Sequence, residues 1–421
     1  MGRALSQKHQ EFFQRKTILT FAIVMNLLLL GYFKYTDFFL ENVNFAFNAD
    51  IGLLHLALPL AISFFTFQQI AYLVSSYRQE TQGYRFIDYS VFVTFFPQLI
   101  AGPIVHHKEM IPQFSDTKNR VFNYRNISLG LFIFSIGLFK KVMIADTFSE
   151  WATRGFDTAE YLNFLEAWIT SLSYTFQLYF DFSGYTDMAI GLALLFNIRL
   201  PINFNSPYKA LDIQDFWRRW HITLSRFLRD HIYIPLGGNK HGNFNTYNNL
   251  MITFILGGIW HGAGWTFVLW GFLHGGALVI HRIWQQWGVR LPSWIAWFIT
   301  FNFINLSWVF FRATEWSDAI KVLSGMVGLS GIALPSFLAT KLSFLAPYGV
   351  TFNEWLNRLD GDIFMFPWIF AGFIIVLLFK NSTEKFDDFK FTYFTALWAG
   401  MAFVVSVLSL NKVSEFLYFN F

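Results

Sequence analysis

Long apolar runs dominate the chain, and short polar or basic stretches separate them. A helix needs about 20 apolar residues to cross the roughly 30 Å of hydrocarbon in a bilayer. Two of the runs are too long for one helix, so each is predicted to hold two. With a shorter run at 86–105, the pattern predicts roughly nine to eleven membrane segments, some incomplete, in one membrane domain over 1–421. The runs lie near residues 17–40, 51–76, 125–147, 162–197, 247–287, 292–312, 362–380 and 392–411.

The stretch 86–114 interrupts this apolar pattern. Pro97, Gly102 and Pro103 fall within it. A proline removes a backbone donor and a glycine loosens a helix. Backbone groups freed at membrane depth are tolerated only inside protein or beside a watery cavity. A bent or re-entrant segment next to a cavity is therefore predicted here.

The region 207–235 is amphipathic. On a helix of 3.6 residues per turn its apolar side chains form one stripe, its charged side chains lie opposite, and His221 falls on the border. Aromatic anchors and a basic face are typical of a helix in the membrane interface. We therefore predict that this helix lies at the cytoplasmic surface. The stripe is Ile213, Phe216, Trp217, Trp220, Leu224, Phe227 and Leu228, and the charged side is Asp215, Arg218, Arg219, Arg226 and Arg229.

Composition agrees with a membrane protein and narrows the possible chemistry. The 421 residues are 54% hydrophobic and 14% charged, with a mean hydropathy of +0.39, whereas a soluble chain carries about 25% charged residues. The net charge of +4 is spread over short loops, which favours membrane topology over nucleic-acid binding. The basic start, residues 1–16, predicts a cytoplasmic flank. The chain has no cysteine, which excludes thiol nucleophiles, disulfides and thiolate metal sites.

His261 is the first candidate for chemistry. Ionisable groups in membrane segments are costly and indicate functional sites, and glycines at 257, 258, 262 and 264 surround this one. These glycines either leave room for a ligand or serve close helix packing. Trp260 and Trp265 are candidates for the walls of a narrow passage. Desolvation favours the neutral imidazole, which is the form that a general base needs.

The other histidines each admit two interpretations. His274 and His281 lie two helical turns apart and share one face, either as a polar seam or as two satisfied core rings. His106 and His107, followed by Glu109, have a poor spacing for metal ligands. No metal site is predicted.

Asp181 and Asp187 stand in an apolar stretch. Six residues apart on one helix, they point in different directions, so a carboxylate dyad is not expected. Unpaired buried carboxylates cost several kcal/mol, so each needs a partner. The favoured interpretation is a salt bridge to the face of Arg218 and Arg219, and the alternative is orientation of a catalytic histidine.

Six stretches, taken together and in order, resemble the membrane-bound O-acyltransferase family, specifically its bacterial branch for alginate O-acetylation. A single WHG motif would be weak evidence, whereas the ordered set covers nearly the whole chain. The stretches are SFFTFQQIAYLVSSYR (63–78), FFPQLIAGPIVHHKEMIPQF (95–114), YFDFSGYTDMAIGLALLFNIRLPINFNSPY (179–208), DFWRRWHITLSRFLRDHIYIPLGGNK (215–240), GGIWHGAGWTFVLWGFLHG (257–275) and SWVFFRATEWSDAI (307–320).

The resemblance implies an all-α integral membrane protein, with a ring of helices around a funnel and the catalytic histidine near its narrow base. It implies that His261, in the GxWHG stretch, is catalytic and that His221, in the RRWH stretch, is the second functional residue. Similar chains usually have further membrane helices before the stretch that matches residues 16–40. These are missing here, which leaves the helix count and the orientation open.

The resemblance further implies transfer of an acetyl group from a cytoplasmic thioester, with acetyl-CoA as the expected donor, for O-acetylation of an exported polysaccharide such as alginate. The expected location is the bacterial cytoplasmic (inner) membrane, in contact with lipid, with an exported acyltransferase partner and no tightly bound cofactor. The enzymatic alternatives are D-alanyl transfer to teichoic acid and peptidoglycan O-acetylation. The non-enzymatic alternative is a proton-coupled transporter, which is expected to have repeated halves that the sequence does not show.

The expected chemistry assigns roles to several residues. Neutral His261 would take the proton of the acceptor hydroxyl. The oxyanion that develops needs donors, which would be His221, a tryptophan N–H or backbone amides. The arginines of 207–235 would hold donor phosphates or, equally well, lipid head groups. Without cysteine, direct transfer is favoured over an acyl-enzyme.

Overall fold

The computed structural model describes residues 1–6, 12–81, 84–99, 102–352, 355–386, 389–410 and 417. Within these ranges the fold is built from α-helices. The helices are α1 (Gly2–Ser6), α2 (Phe12–Phe47), α3 (Ile62–Tyr77), α4 (Phe86–Thr94), α5 (His107–Ser115), α6 (Tyr124–Phe139), α7 (Asp146–Thr153), α8 (Phe164–Leu195), α9 (Ile213–Arg219), α10 (Ile222–Leu228), α11 (Gly242–His261), α12 (Trp265–Trp287), α13 (Ser293–Arg312), α14 (Trp316–Met326), α15 (Ala339–Leu342), α16 (Met365–Leu378) and α17 (Tyr393–Leu408).

Several of these helices have the length and hydropathy of membrane spans, as the apolar runs predict. In the described part of the chain, four qualify on both criteria: Gln14–Phe47, Tyr124–Thr158, Trp265–Trp287 and Ser293–Arg312. Met365–Leu378 and Tyr393–Leu408 are apolar but shorter. The all-α membrane class is therefore confirmed. A short parallel pair of strands, β1 (Ile332–Leu334) and β2 (Val350–Phe352), is the one piece of sheet among the described residues.

The long run at 162–197 forms one helix, so the prediction of two helices there is wrong. Helix α8 begins at Asn163, whose side chain caps the backbone N–H groups of Leu165 and Glu166, and its 32 residues span about 48 Å. Both faces of α8 are largely buried. A Cβ at Gly137 of α6 would lie 2.5 Å from the carbonyl oxygen of Gly184. The glycines of this run therefore permit close packing of α6 on α8 and do not form a turn.

The run at 247–287 does hold two helices, as predicted. Helix α11 ends at His261 and α12 begins at Trp265, with a short glycine-containing turn between them. The two helices pack closely along their length, since a Cβ at Gly258 would lie 2.3 Å from the carbonyl oxygen of Phe267. This hairpin places His261 at a helix end.

The region 207–235 is not one helix, which corrects the prediction. All seven residues of its apolar stripe are buried, so the periodicity was interpreted correctly. The helix is broken at His221, whose φ of 41° lies in the left-handed region and cannot continue an α-helix. Two short helices, α9 and α10, result.

Helix α9 packs along α12. Asp212 Oδ1 is 3.5 Å from His281 Nε2, and Trp217 Nε1 donates to His274 Nδ1 over 3.2 Å. Because His274 and His281 are two turns apart on α12, α9 runs beside that helix. His221 is carried into the interior as a consequence.

The stretch 86–114 is bent, as its prolines predict. Helix α4 stops at Thr94, a short 3₁₀ turn holds Pro97, and α5 begins at His107. Within the described part of this stretch, the backbone N–H of Ile104 donates to Thr223 Oγ1 over 3.0 Å. The bent segment is thereby joined to α10.

Candidate active site

His261 is the last residue of α11, and its ring lies inside a group of aromatic side chains. The ring centroid is 4.8 Å from that of Trp260, 5.1 Å from Trp270 and 5.0 Å from Phe311. The residue is 6% exposed. Its Nδ1 is buried and has no hydrogen-bond partner among the described residues.

A buried ring nitrogen without a hydrogen bond, such as His261 Nδ1, lowers the stability of the fold. Leaving a buried donor or acceptor without a hydrogen bond costs about 1–3 kcal/mol, and a phenylalanine would fill similar space without that cost. The arrangement suits a group that gains its partner only when a reactant is bound. The indole rings of Trp260 and Trp270 contact the His261 ring, and their Nε1–H groups also lack hydrogen-bond partners in the described structure.

Two of the four glycines around His261 serve close packing. A Cβ at Gly258 would meet backbone atoms of α12, and a Cβ at Gly262 would lie 2.0 Å from the ring of Phe267. An open cavity of about 370 Å³ lies between α2 and the turn after α11, and Lys34, Gly262 and Ala263 are among its lining residues. Gly262 therefore takes part both in packing and in the wall of this cavity.

His221 lies at the break between α9 and α10 and is fully buried. Its Nδ1 is 3.0 Å from Asn203 Oδ1. That oxygen also accepts from the backbone N–H and the hydroxyl of Thr223, over 3.2 and 2.9 Å, so it can only be an acceptor, and His221 Nδ1 carries the proton.

His274 is a satisfied core residue, so the polar-seam interpretation is wrong. Trp217 Nε1, which can only donate, donates to His274 Nδ1 over 3.2 Å. His274 Nε2 therefore carries the proton and donates to Ser307 Oγ over 3.0 Å, and Ser307 donates to the carbonyl of Ile304. His281, on the same helix, instead contacts Asp212 and Gln285. The lone pair of His274 is occupied, and His274 is not placed to act as a base.

Asp181 and Asp187 form salt bridges, as favoured, but their partners are not Arg218 and Arg219. Lys141 Nζ is 2.7 Å from Asp181 Oδ1 and Lys140 Nζ is 2.8 Å from Asp187 Oδ2. Both lysines lie in a π-helical turn that follows α6. This turn brings two successive side chains toward α8. The two carboxylates join α6 to α8 and contact no histidine in the described structure.

The arginines of 207–235 are largely neutralised by carboxylates. Arg219 pairs with Asp215, Arg226 with Glu109 and Arg229 with Asp230. Arg218 is exposed and has no such pair among the described residues. The expectation that all four arginines hold donor phosphates therefore loses support.

Trp260 and Trp265, the candidates for the walls of a narrow passage, lie in different surroundings. Trp260 is buried and stacks on Phe67 of α3 at 4.7 Å, in addition to its contact with His261. Trp265 is 54% exposed and donates to Asn42 Oδ1 over 2.9 Å. Trp265 therefore joins α12 to α2 and does not line the surroundings of His261, which corrects that prediction.

The residues near 106–109 take part in contacts with separate partners. His106 Nε2 lies 3.4 Å from Ser75 Oγ, and His107 Nδ1 lies 3.3 Å from Tyr84 Oη. Burial lowers the pKa of His107 to about 3, so its ring is neutral. Glu109 forms a salt bridge with Arg226.

Sequence reasoning did not single out four residues that surround His261. Trp270 and Phe311 contact its ring, and both lie in stretches that carry the family resemblance. Lys34 and Tyr35 of α2 contact the backbone at the end of α11: Lys34 Nζ donates to the carbonyls of Trp260 and His261, and Tyr35 Oη donates to that of Ile259. A charged residue inside an apolar helix was the available signal for Lys34.

Known proteins similar to this chain are acyltransferases by their names. The family profile of the membrane-bound O-acyltransferases matches residues 73–314. A peptidoglycan O-acetyltransferase of Helicobacter pylori is 51% identical over 96% of this chain and 82% of its own length. A probable alginate O-acetylase of Pseudomonas aeruginosa is 42% identical over 73% of this chain and 60% of its own length. A teichoic acid D-alanyltransferase of Streptococcus thermophilus is 28% identical over 60% of this chain and 68% of its own length.

The matched range contains both candidate histidines, His221 and His261, and the bent segment that joins α10. It also contains the hairpin of α11 and α12 and all of α13, which together supply the Trp260, Trp270 and Phe311 rings around His261. By this match and by the 51% identical relative, the chain belongs to the membrane-bound O-acyltransferase family and is a membrane-embedded O-acyltransferase.

Proposed function

We propose that this enzyme transfers acetyl groups from a cytoplasmic acetyl thioester, such as acetyl-CoA, across the bacterial inner membrane for O-acetylation of peptidoglycan. Alginate was the first expectation from the sequence. The relative that acts on peptidoglycan by its name is 51% identical over 96% of this chain, against 42% over 73% for the alginate relative. These values favour peptidoglycan as the final acceptor.

The proposed reaction centres on His261, and its unpartnered Nδ1 within a buried aromatic group is the observation that carries the proposal. Desolvation at such a site excludes competing water, so a thioester is protected from hydrolysis. A ring nitrogen without a hydrogen-bond partner among the described residues is available for a reactant. His274, in contrast, has both nitrogens engaged, so His261 is the better base of the two.

The transfer requires one general base. The acceptor hydroxyl oxygen attacks the carbonyl carbon of the acetyl thioester while its proton moves to His261, and the tetrahedral intermediate holds one negative oxygen. The carbon–sulfur bond then breaks, and His261 returns the proton to the leaving thiolate. An acetyl ester and a free thiol are the products, and His261 is neutral again.

The negative oxygen of the intermediate needs a hydrogen-bond donor that is already in place. Trp270 suits this role because it is 1% exposed, contacts the His261 ring and has an Nε1–H without a described partner. The Nδ1–H of His221 is donated to Asn203 Oδ1, so that proton is not available to the intermediate. Trp270 is therefore the first choice as oxyanion donor.

The final acceptor can be tested in cells. Deletion of the gene is expected to lower ester-linked acetate in purified peptidoglycan to background, and expression of the wild-type chain is expected to restore it. The His261→Ala chain serves as the matched control and is expected to give no restoration at equal protein level. Base-released acetate is measured in the peptidoglycan and exopolysaccharide fractions. Loss of acetate from exopolysaccharide alone would overturn the assignment of peptidoglycan.

A partner is expected to complete the transfer to the polymer. His261 is almost fully enclosed, which suits a small acyl group and one hydroxyl better than a glycan strand. In vesicles with labelled acetyl-CoA, the purified enzyme alone is expected to leave added peptidoglycan unlabelled, and addition of the exported acyltransferase is expected to produce label. Efficient labelling of the polymer by the membrane enzyme alone would contradict this requirement.

A further inference from the structure

Helix α2 supplies the hydrogen-bond donors for the C-terminal end of α11. Lys34 Nζ lies 2.7 Å from the carbonyl oxygen of Trp260 and 2.9 Å from that of His261. Tyr35 Oη lies 2.7 Å from the carbonyl oxygen of Ile259. The fourth terminal carbonyl, that of Gly258, accepts from the N–H of Gly262 over 3.4 Å.

This arrangement accounts for all four carbonyls that a helix end leaves without an intrahelical partner. Three of the four depend on two adjacent side chains of another helix, more than 220 positions away in the chain. Side chains of α2, which is not part of the α11–α12 hairpin, therefore stabilise the C-terminal end of α11.

Lys34 places an ionisable group in a helix that is otherwise largely apolar. It lies in the interior of a helix long and apolar enough to cross a membrane, where an ionisable side chain is costly. Its neighbours on α2 include the exposed apolar residues Leu28, Leu29 and Tyr32. An apolar residue would avoid the cost, so the amino group of Lys34 has a specific use at the end of α11.

We infer that Lys34 and Tyr35 are positioning residues that fix the His261 imidazole through its backbone. This inference rests on the proposed role of His261 as base. The residues that follow His261 are Gly262, Ala263 and Gly264, which restrict the backbone little. Without the contacts from α2, the last turn of α11 and this short linker would sample several conformations, and His261 would lose its alignment with Trp270 and the substrate.

The remaining contacts of α2 allow the positioning role of Lys34 to be distinguished from a general contribution to the packing of α2. Trp265 Nε1 donates to Asn42 Oδ1, and Asp37 accepts from the N–H groups of Leu54 and His55. None of these contacts involves Lys34, so α2 is expected to stay in place when Lys34 is changed. Both positioning residues also lie before residue 73, where the family match begins.

The test compares Lys34→Met, Lys34→Arg and Tyr35→Phe with Asn42→Ala, a matched control that removes a different polar contact of α2. With enzyme, exported partner and labelled acetyl-CoA, Lys34→Met is expected to lower kcat about 10- to 100-fold, the scale of a misplaced reacting group, while KM for the donor stays within about twofold. Lys34→Arg is expected to restore most of kcat. Tyr35→Phe is expected to give a smaller loss, and Asn42→Ala is expected to behave as wild type.

A second readout follows the turn itself. Because the chain has no cysteine, Ala263→Cys introduces one thiol in the half-buried turn, and Lys34→Met is expected to raise its rate of maleimide labelling while Asn42→Ala leaves it unchanged. Unchanged kcat and labelling in Lys34→Met would overturn the inference, as would an equal loss in Asn42→Ala. The outcomes also separate the two proposals. An active His261→Ala enzyme refutes the proposed function. If His261→Ala is inactive and Lys34→Met is fully active, only the positioning role is refuted.

Discussion

Replacement of His261 by alanine is expected to abolish acetyl transfer while the protein still inserts into the membrane and accumulates. The side chain lies at the end of α11 with an unpartnered Nδ1, so its loss removes the proposed base without breaking a described hydrogen bond of the ring. Loss of a general base lowers the rate about 10²- to 10⁴-fold. The measurement is single-turnover transfer from labelled acetyl-CoA in vesicles that contain the exported partner.

A histidine on the same hairpin provides the control for this variant. His281 lies on α12 and contacts Asp212 and Gln285 at the edge of the bundle, so His281→Ala is expected to keep most of the activity. Membrane level and thermal unfolding of both variants are compared with wild type. Transfer at the wild-type rate by His261→Ala would end the proposal that this residue is the base.

Replacement of Trp270 by phenylalanine is expected to lower kcat about 10²- to 10³-fold, which is the typical effect of removing one oxyanion donor. Phenylalanine keeps an aromatic ring between His261, His274 and Trp308, all of which contact Trp270, but it lacks the indole N–H. Because the N–H is expected to bind the intermediate more strongly than the substrate, KM for the donor should change little.

A second tryptophan distinguishes this effect from a loss of packing. Trp168 Nε1 donates to the carbonyl of Met326 over 3.0 Å, away from the histidines. Trp168→Phe makes the same chemical change and removes an indole hydrogen bond that lies away from the site, so it is expected to keep kcat near the wild-type value. Steady-state kinetics of both variants are measured at matched protein levels. Full activity of Trp270→Phe would assign the oxyanion donor to another group.

Burial patterns were predicted well from the sequence because they depend on local spacing. The stripe on 207–235 is buried at every predicted position, and the break at His221 was not foreseen because a 3.6-residue period continues through it. The left-handed backbone at His221 is stabilised by Asn203, which is 18 residues earlier in the chain. A long-range contact of this kind does not change the spacing of apolar residues, so the hydrophobic period does not reveal it.

The number of helices in each apolar run was harder to predict. The runs at 162–197 and 247–287 both exceed the length of one span, yet only the second one turns. In the first, glycines pack against the glycines of α6, while in the second Gly262 and Gly264 flank the helix end after His261. Glycine is compatible with both outcomes, and the neighbouring helix decides between them.

The sequence by itself determined the membrane class, the family and the position of His261, because apolar run lengths and an ordered set of motifs are properties of the chain alone. The tertiary structure decided the partners of the buried polar groups. Asp187 meets Lys140 and Ser382, which are 47 and 195 positions away, and Lys34 meets the carbonyl of His261, 227 positions away. Every buried charge needs a partner, but only the packing of the helices brings one particular partner within hydrogen-bond distance.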